Sequence, residues 1–198
     1  MANPTLDRSS DVTVPHLSVV VPAFNEEENV VPLAEEIVGA LDRLPGGFEL
    51  ILVDDASTDA TPRLIQQIHD PRVRGVFHRI NCGQSAAVGS GFQAARGEWV
   101  ATLDGDGQND PADVPAMLAQ AIRERVDCVT GVRKKRQDTF IRRFSSRVAN
   151  GFRNWITGDQ VSDSGCGIRV VRRAALREIP VFNGMHRFLP TLLRGQGF

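Results

Sequence analysis

The segment Asp104-Gly105-Asp106-Gly107-Gln108 has the residue types and spacing best suited to chemistry in this sequence of 198 residues. Two carboxylates separated by one glycine can reach a single divalent cation, and the glycines allow a tight turn and the close approach of a ligand. Oxygen ligands favour Mg²⁺ or Mn²⁺, which take further ligands from water and phosphate. The segment alone is equally compatible with a polar turn. An EF-hand calcium loop is excluded, because its sixth and twelfth positions are Asn109 and Pro115.

Other polar groups follow two more predicted strands. The segment 22–26 ends the predicted strand Leu17–Pro22, and the segment 54–59 follows the predicted strand Phe48–Val53. Ligands of parallel sheets bind beyond the carboxyl ends of the strands, so we expect these segments to converge with the aspartate pair. Acids crowded at one edge repel each other unless a cation or hydrogen-bond donors lie among them. The convergence therefore favours the metal interpretation.

Alternating strand and helix patterns position these groups. Val73–His78, Trp99–Leu103 and Asp127–Val132 are predicted as the third, fourth and fifth strands. Helices are predicted from about Glu26 to Leu44, from a cap at Ser57 or Thr58 to about Asp70, from Ser85 to Ala95, and onwards from Pro111. The alternation predicts an α/β fold with a mostly parallel central sheet and helices on both faces. The glycine-rich segment Gly89–Ala94 lies within a helical pattern, so it indicates helix packing rather than a dinucleotide-binding loop.

Charge is unevenly distributed along the chain. Apolar residues make up 41% and charged residues 24%, which is typical of a globular protein. Residues 1–110 contain 7 Lys/Arg and 17 Asp/Glu, whereas residues 111–198 contain 16 and 7. The densest basic stretch is Arg133–Arg153, which predicts an anionic partner for the second half of the chain. A basic module that binds membrane or nucleic acid is the non-enzymatic alternative.

Cysteine usage and hydropathy indicate a compartment. Cys82, Cys128 and Cys166 are far apart and form no CxxC pattern, which favours a reducing environment. Met1–His16 contains no apolar signal-peptide core, and no apolar run approaches the roughly 20 residues of a spanning helix. We predict a cytoplasmic protein, peripheral to the cytoplasmic face of a membrane. Residues 1–15 are expected to form a flexible tail and residues 16–198 a single catalytic domain.

Together the motifs resemble glycosyltransferase family 2, and within it the polyprenyl-phosphate sugar transferases, such as dolichyl-phosphate mannosyltransferase and undecaprenyl-phosphate glycosyltransferases. The matching stretches are Val20–Glu26, Val53–Asp59, Asn81–Gly91, Leu103–Asp110 and Asp163–Arg169. The resemblance implies a GT-A-like nucleotide-diphospho-sugar transferase fold. It also implies inverting transfer of a hexose from a UDP- or GDP-sugar to a polyprenyl phosphate. Relatives of this kind continue further, so a catalytic domain truncated at its C-terminus is expected.

The resemblance also implies roles for single residues. Asp104, Asp106 and Gln108 would hold Mg²⁺ or Mn²⁺ and the donor diphosphate, and Asp104, Asp106 and Arg133 would act in catalysis. The nucleotide-sugar site would comprise Pro22, Phe24, Glu26, Val53, Asp55, Asp104, Gly105, Asp106, Gln108 and Arg133. The acceptor phosphate would be bound by Arg142 and Ser146. The chain departs from the family pattern at Phe24, where tyrosine is usual, and at Ala56, where glycine is usual.

Two enzymatic alternatives remain open. Transfer to a saccharide would need a general base, for which Asp163 is the first candidate, whereas a lipid phosphate is already ionised near neutral pH. A nucleotidyltransferase would release pyrophosphate rather than a nucleoside diphosphate. The segment Phe140–Ile156 has an apolar stripe and basic flanks, which favours an interfacial helix at anionic headgroups over a core-facing helix. No nucleic acid partner is expected for the enzyme.

Overall fold

A computed structural model describes residues 14–131, 167–177 and 179–198. Within these ranges, six strands form one sheet in the order β3-β2-β1-β4-β6-β5. The strands are β1 (Leu17–Ala23), β2 (Phe48–Asp54), β3 (Val73–Phe77), β4 (Trp99–Thr102), β5 (Cys128–Thr130) and β6 (Arg169–Arg172). Strands β1 to β4 are mutually parallel where they pair, and β6 is antiparallel to both β4 and β5. The predicted, mostly parallel sheet is confirmed.

Helices cover both faces of this sheet, as predicted. They are α1 (Val30–Leu41), α2 (Thr61–Gln66), α3 (Gln84–Ala94), α4 (Asp113–Glu124), α5 (Arg173–Leu176) and α6 (Met185–Gly195). The apolar residues of α1, α2 and α4 belong to one buried cluster, and those of α3, α5 and α6 belong to another. The sheet therefore separates two hydrophobic cores.

The central strands are enclosed on both faces. All seven residues of β1 and all seven of β2 are buried. Val19 and Val21 contribute to the cluster beneath α1, α2 and α4, whereas Val20 contributes to the cluster beneath α3. A strand buried on both sides reads as a continuous apolar run, which is why these two strands were predictable.

Helix α3 lies very close to the sheet because its packing face contains glycines. A Cβ atom at Gly91 would overlap the side chain of Val20, and one at Gly89 would approach a Cγ of Val181 to 2.8 Å. The interpretation of Gly89–Ala94 as a helix-packing segment is confirmed.

Strand β6 was not predicted from the sequence. It has four residues and an arginine at each end, so its apolar pattern is confined to Val170 and Val171. It lies between β4 and β5, and the predicted fifth strand therefore pairs with β6 rather than with β4.

A buried carboxylate, that of Glu49, links β1 and β2 near the amino ends of these strands. Glu49 is 2% exposed and accepts hydrogen bonds from Ser18 Oγ at 2.7 Å and from the Arg96 backbone N–H at 2.8 Å. The guanidinium groups of Arg96 and Arg74 donate to its other oxygen at 3.0 and 3.1 Å. Burial alone would raise the pKa of Glu49, but these hydrogen bonds and the charge of Arg74 hold it below its ordinary value.

Among the described residues, none of the helices has both the length and the apolar character that crossing a bilayer requires. Residues 1–13 and the basic segment Arg133–Arg153 lie outside the described ranges, as does the predicted helix Phe140–Ile156. The flexible tail, the interfacial helix and the domain limits remain predictions.

We expect Glu49→Gln to lower the free energy of unfolding by about 2–4 kcal/mol near pH 7, because the arginines lose their buried anionic partner. The pKa of Glu49 is lowered in the folded state, so its stabilising effect is complete above the ordinary value of 4.5. The effect is lost as pH falls through the lowered folded pKa. Urea unfolding at several pH values measures this difference. Glu36→Gln, at an exposed position on α1, is the matched control and should change stability little. Equal effects of the two substitutions at pH 7 would contradict this account.

Candidate functional site

Asp55 directly follows β2, and its carboxylate is enclosed by hydrogen-bond donors. The residue is 3% exposed. One carboxylate oxygen accepts from the Cys82 N–H at 2.9 Å and lies 2.7 Å from His78 Nδ1, and the other accepts from the Gly83 N–H at 2.7 Å. His78 Nε2 is 2.8 Å from Ser90 Oγ. A single carboxylate thus connects the ends of β2 and β3 to the start of α3.

The environment of Asp55 favours its ionised form. Burial alone would raise the pKa of its carboxyl, but the hydrogen bonds from Cys82, His78 and Gly83 hold that pKa below its ordinary value. Gly83 is the residue before α3 and has a φ of 85°, a conformation that L side chains rarely adopt. The negative charge also lies at the N-terminus of a helix of 11 residues, where the helix dipole stabilises it.

The aspartate pair begins two residues after β4, at the carboxyl edge of the sheet. Asp104 is partly buried, and its Oδ1 accepts a hydrogen bond from Gln84 Nε2 at 3.0 Å. Asp106 is exposed, and its Oδ1 accepts from the Gln108 backbone N–H at 3.1 Å. Gly105 lies against β1, since a Cβ atom there would approach the Pro22 carbonyl oxygen to 2.5 Å. The turn is therefore held against the end of β1.

Gly167 encloses Asp104 from the other side. Its carbonyl oxygen accepts a hydrogen bond from Thr102 Oγ1 at 2.9 Å. A Cβ atom at Gly167 would overlap the Asp104 carboxylate. Only glycine leaves room for that carboxylate in its present position, between the start of α3 and the segment before β6.

The donor set of this turn fits the predicted Mg²⁺ or Mn²⁺. Both groups are carboxylates on one short turn, and Asp106 is open to solvent, as suits a cation that keeps water and substrate phosphate among its ligands. The Gln108 side chain is also exposed, beside Asp106. When bound, such a cation would stabilise negative charge on a phosphate leaving group.

The loops after β1 and β2 are joined by reciprocal hydrogen bonds. The Asn25 N–H donates to Ser57 Oγ at 2.9 Å, and the Thr58 N–H donates to Asn25 Oδ1 at 2.8 Å. Asn25 and Ala56 both have positive φ, 55° and 59°. The two loops form one unit at the carboxyl edge of the sheet.

These contacts correct two predicted helix boundaries. The N–H groups of Glu26 and Glu27 donate to Thr61 Oγ1 at 2.9 Å and to Asp59 Oδ2 at 3.2 Å, so α1 begins at Val30 instead of near Glu26. Helix α2 follows Ala60 without a side-chain cap, so the predicted capping role of Ser57 or Thr58 is wrong.

The predicted nucleoside-binding residues differ in accessibility. Phe24 is 45% exposed, so its ring is free to stack on a base. Glu26 is partly exposed and accepts a hydrogen bond from Asn29 Nδ2 at 2.7 Å. Pro22 is buried, and the Val53 side chain is enclosed in the core cluster on the α3 face. The accessible part of the predicted set is therefore on the loop after β1.

Several predicted residues lie outside the described ranges. These are Arg133, Arg142, Ser146 and Asp163. Their predicted roles stay predictions.

The structure adds residues that the sequence analysis did not assign. Gln84 and Gly83 lie in the stretch Asn81–Gly91 that contributed to the family resemblance, which was the available signal. His78 ends a predicted strand but belongs to none of the stretches that match the family. Gly167 lies in the stretch Asp163–Arg169, where the sequence does not reveal its contact with Asp104.

His186, on α6, contacts the start of α3. Its Nδ1 lies 2.9 Å from Ser85 Oγ, and the same oxygen accepts a hydrogen bond from the Gly184 N–H at 3.0 Å. Burial and the positive charges of Arg187 and Arg169 lower the pKa of His186. The imidazole is thus neutral near pH 7 and joins α6 to α3.

The model of glycosyl transferase family 2 matches residues 18–180. A dodecaprenyl-phosphate galacturonate synthase from Rhizobium johnstonii is 42% identical over 185 residues, which cover 90% of this chain and 54% of the relative. An undecaprenyl-phosphate 4-deoxy-4-formamido-L-arabinose transferase from Shewanella sediminis is 34% identical, with 90% of this chain and 55% of the relative covered. The chain spans about half the length of these curated relatives.

Solved structures share the fold. Glucosyl-3-phosphoglycerate synthase from Mycobacterium tuberculosis, in complex with Mn²⁺, UDP and phosphoglyceric acid, superimposes with a TM-score of 0.70 at 23% identity, covering 89% of this chain and 63% of that protein. The mannosyltransferase PcManGT from Pyrobaculum calidifontis, in complex with GDP-Man and Mn²⁺, gives a TM-score of 0.61 at 21% identity, covering 85% and 47%. The predicted GT-A-like architecture is confirmed.

We expect Ala56→Gly to raise the free energy of unfolding by about 0.5–1 kcal/mol. The left-handed conformation of residue 56 costs alanine about 1–2 kcal/mol, and glycine removes this cost. Part of the gain is lost because glycine gives the unfolded chain more conformational entropy. Chemical denaturation of both proteins measures the difference. The control is Ala119→Gly, at an exposed position within α4, which should lower stability by about 1 kcal/mol. Destabilisation by both substitutions would show that residue 56 is not strained.

Proposed function

The chain belongs to glycosyl transferase family 2, and we propose that it transfers a sugar from a nucleotide-diphosphate donor to the phosphate of a polyprenyl carrier. The observation that supports this best is the position of Asp104 and Asp106, on the same sheet edge as Asp55 and the exposed ring of Phe24. A nucleoside diphosphate has a base that can stack on the ring and a diphosphate that can share a cation with the aspartates.

The acceptor class is inferred from the relatives. The Rhizobium johnstonii and Shewanella sediminis proteins are named for a dodecaprenyl-phosphate and an undecaprenyl-phosphate respectively, and for different sugars. The polyprenyl phosphate is what the two names share, so we carry it to this chain. The basic segment Arg133–Arg153 supplies positive charge suited to a phosphate and an anionic membrane surface. Within it, Arg142 and Ser146 are the proposed acceptor-phosphate ligands.

The proposed reaction is a single displacement with inversion. A phosphate oxygen of the carrier attacks the anomeric carbon, and the bond from that carbon to the donor's diphosphate oxygen breaks. The bonding electrons stay with the departing nucleoside diphosphate. The attacking oxygen is already ionised near neutral pH, so the proposal assigns no general base.

The described residues act mainly by positioning. Gln84 donates to Asp104, and Gly167 leaves the space that the Asp104 carboxylate occupies, so both fix one ligand of the proposed Mg²⁺ or Mn²⁺. Asp55 fixes the turn that leads into Gln84. Fixed groups of this kind need no rearrangement when substrate charge changes. Arg133 is proposed to act near the donor and acceptor phosphates.

The donor site is tested by isothermal titration calorimetry of UDP and GDP, with and without Mn²⁺. We expect one nucleotide to bind in a Mn²⁺-dependent manner, and Asp104→Asn/Asp106→Asn to weaken binding at least about tenfold by removing both carboxylate ligands. Asp113→Asn, in the first turn of α4, is the control and should bind as the parent does.

Binding that is indifferent to Mn²⁺ and to the aspartate substitutions would contradict the proposed donor site. The reaction type is checked with the nucleotide-sugar and a polyprenyl phosphate in detergent. Release of a nucleoside diphosphate is expected, and release of pyrophosphate would point to a nucleotidyltransferase instead.

Gly167→Ala should weaken Mn²⁺-dependent nucleotide binding about tenfold, or about 1.4 kcal/mol, because the added methyl group displaces the Asp104 carboxylate. Calorimetry on the folded variant, with circular dichroism to confirm the fold, provides the measurement. Gly39→Ala is the matched control, since a Cβ atom at that position on α1 has nothing within 4 Å. Unchanged nucleotide binding in Gly167→Ala would mean that the position of Asp104 is not important for the donor site.

A further inference from the structure

A second group of candidate ligands lies at the carboxyl edge of the sheet, apart from the aspartate pair. Asp55, His78 and Cys82 each offer one ligand atom, and the three atoms lie within 4.8 Å of one another. Asp55 is buried, His78 is partly buried and Cys82 is exposed. Cys82 is a free thiol. The group is therefore enclosed at its base and open to solvent at the thiol.

The chemistry of this group differs from that of Asp104 and Asp106. It combines a carboxylate oxygen, an imidazole nitrogen and a sulfur, which together are the ligand types of Zn²⁺ in proteins. All-oxygen sites suit Mg²⁺ and Mn²⁺ instead. We propose that Asp55, His78 and Cys82 form a binding site for a thiophilic divalent cation such as Zn²⁺, with solvent as the fourth ligand.

The surroundings of His78 are those of a metal ligand. Its Nε2 is 2.8 Å from Ser90 Oγ, and its Nδ1 is 2.7 Å from Asp55 Oδ1. In the tautomer that donates its Nε2 hydrogen to Ser90, the Nδ1 lone pair faces the Asp55 carboxylate, and a cation bound by both groups would take the place of the Nδ1 hydrogen. Metal-binding histidines commonly donate their second ring N–H to an oxygen in this way. A cation and the Nδ1 hydrogen thus compete for one position.

A bound cation would leave the hydrogen bond from Gly83 in place, although it shares an Asp55 oxygen with the Cys82 N–H. The Gly83 N–H donates to the carboxylate oxygen opposite the one that faces His78, and the Cys82 backbone N–H does not depend on its side chain. Binding converts the Cys82 thiol to a metal-bound thiolate and releases its proton to solvent. The imidazole would bind through Nδ1 and keep its one hydrogen on Nε2, so every step is a proton transfer and no oxidant or reductant is needed.

Occupancy would affect the donor site, an effect that rests on the proposed function. Asp55 holds the Cys82–Gly83 turn, and Gln84 of the same turn donates to Asp104. A cation that draws on the Asp55 carboxylate therefore competes with the hydrogen bonds that position the turn. We expect Zn²⁺ to weaken nucleotide binding through this contact.

Titration of the reduced full chain with Cd²⁺, a spectroscopic substitute for Zn²⁺, tests the site without any nucleotide. We expect one equivalent to bind, with the ultraviolet charge-transfer absorption of a cadmium thiolate, and Zn²⁺ to displace it. Cys82→Ser should abolish the absorption, and His78→Asn should weaken binding at least about tenfold. The matched control is Cys128→Ser/Cys166→Ser, in which Cys82 is the one remaining thiol of three. That variant should keep the absorption.

Three outcomes would overturn the proposal. They are the absence of stoichiometric binding by the parent chain, binding that survives Cys82→Ser, and binding that is unaffected by His78→Asn, the variants being folded. Nucleotide calorimetry with and without Zn²⁺ is the separate arm. Failure of all nucleotide binding alongside normal Cd²⁺ binding would sink the donor site and leave the cation site standing. Normal nucleotide binding without Cd²⁺ binding would exclude the cation site and leave the donor site standing.

Discussion

The negative charge of Asp55, enclosed at the end of β2, is the constraint on which the arrangement of the site depends. A buried carboxylate is costly unless hydrogen bonds surround it, and Asp55 obtains them from two backbone N–H groups and one imidazole. His78 follows β3, and Gly83 precedes α3. Satisfying one charge therefore fixes a strand end, the neighbouring strand end and a helix start relative to one another.

The same constraint extends to the aspartate pair. Gln84 is the first residue of α3, so the turn that Asp55 anchors also determines where the Gln84 amide meets Asp104. Gly167 limits the Asp104 carboxylate from the opposite side. Asp106 has no such enclosure and remains exposed. The protein thus holds the Asp104 carboxylate in place and leaves that of Asp106 open to solvent. This arrangement suits a cation whose other ligands come from a substrate that enters and leaves.

Features of this structure that depend on side-chain patterns were predictable from the sequence, and features that depend on backbone hydrogen bonds between distant loops were not. Strands β1 and β2 were located to within one residue because burial on both faces requires continuous apolar runs. The predicted start of α1 was too early because the backbone N–H groups of Glu26 and Glu27 donate hydrogen bonds to side chains that follow β2. The sequence pattern does not show these long-range contacts. The position of the aspartate pair after β4 was predictable from the sequence, and its role in binding a metal stays a prediction. The donors around Asp55 were not, since backbone N–H groups belong to almost every residue.

What the fold requires at residue 82 is a backbone N–H, not a thiol. A serine or an alanine there would supply the same donor to Asp55, whereas residue 83 is restricted by its φ of 85°. The imidazole of His78 is less dispensable, because it fills the remaining side of the carboxylate, but asparagine also offers an N–H at that position. The sulfur and the ring nitrogen are therefore additions to a scaffold whose geometry is set by the backbone. Substitution of Cys82 or His78 can therefore remove a cation ligand while the backbone of the sheet edge keeps its geometry. Substitution of Asp55 would remove a ligand and the hydrogen bonds to Cys82 and Gly83 together.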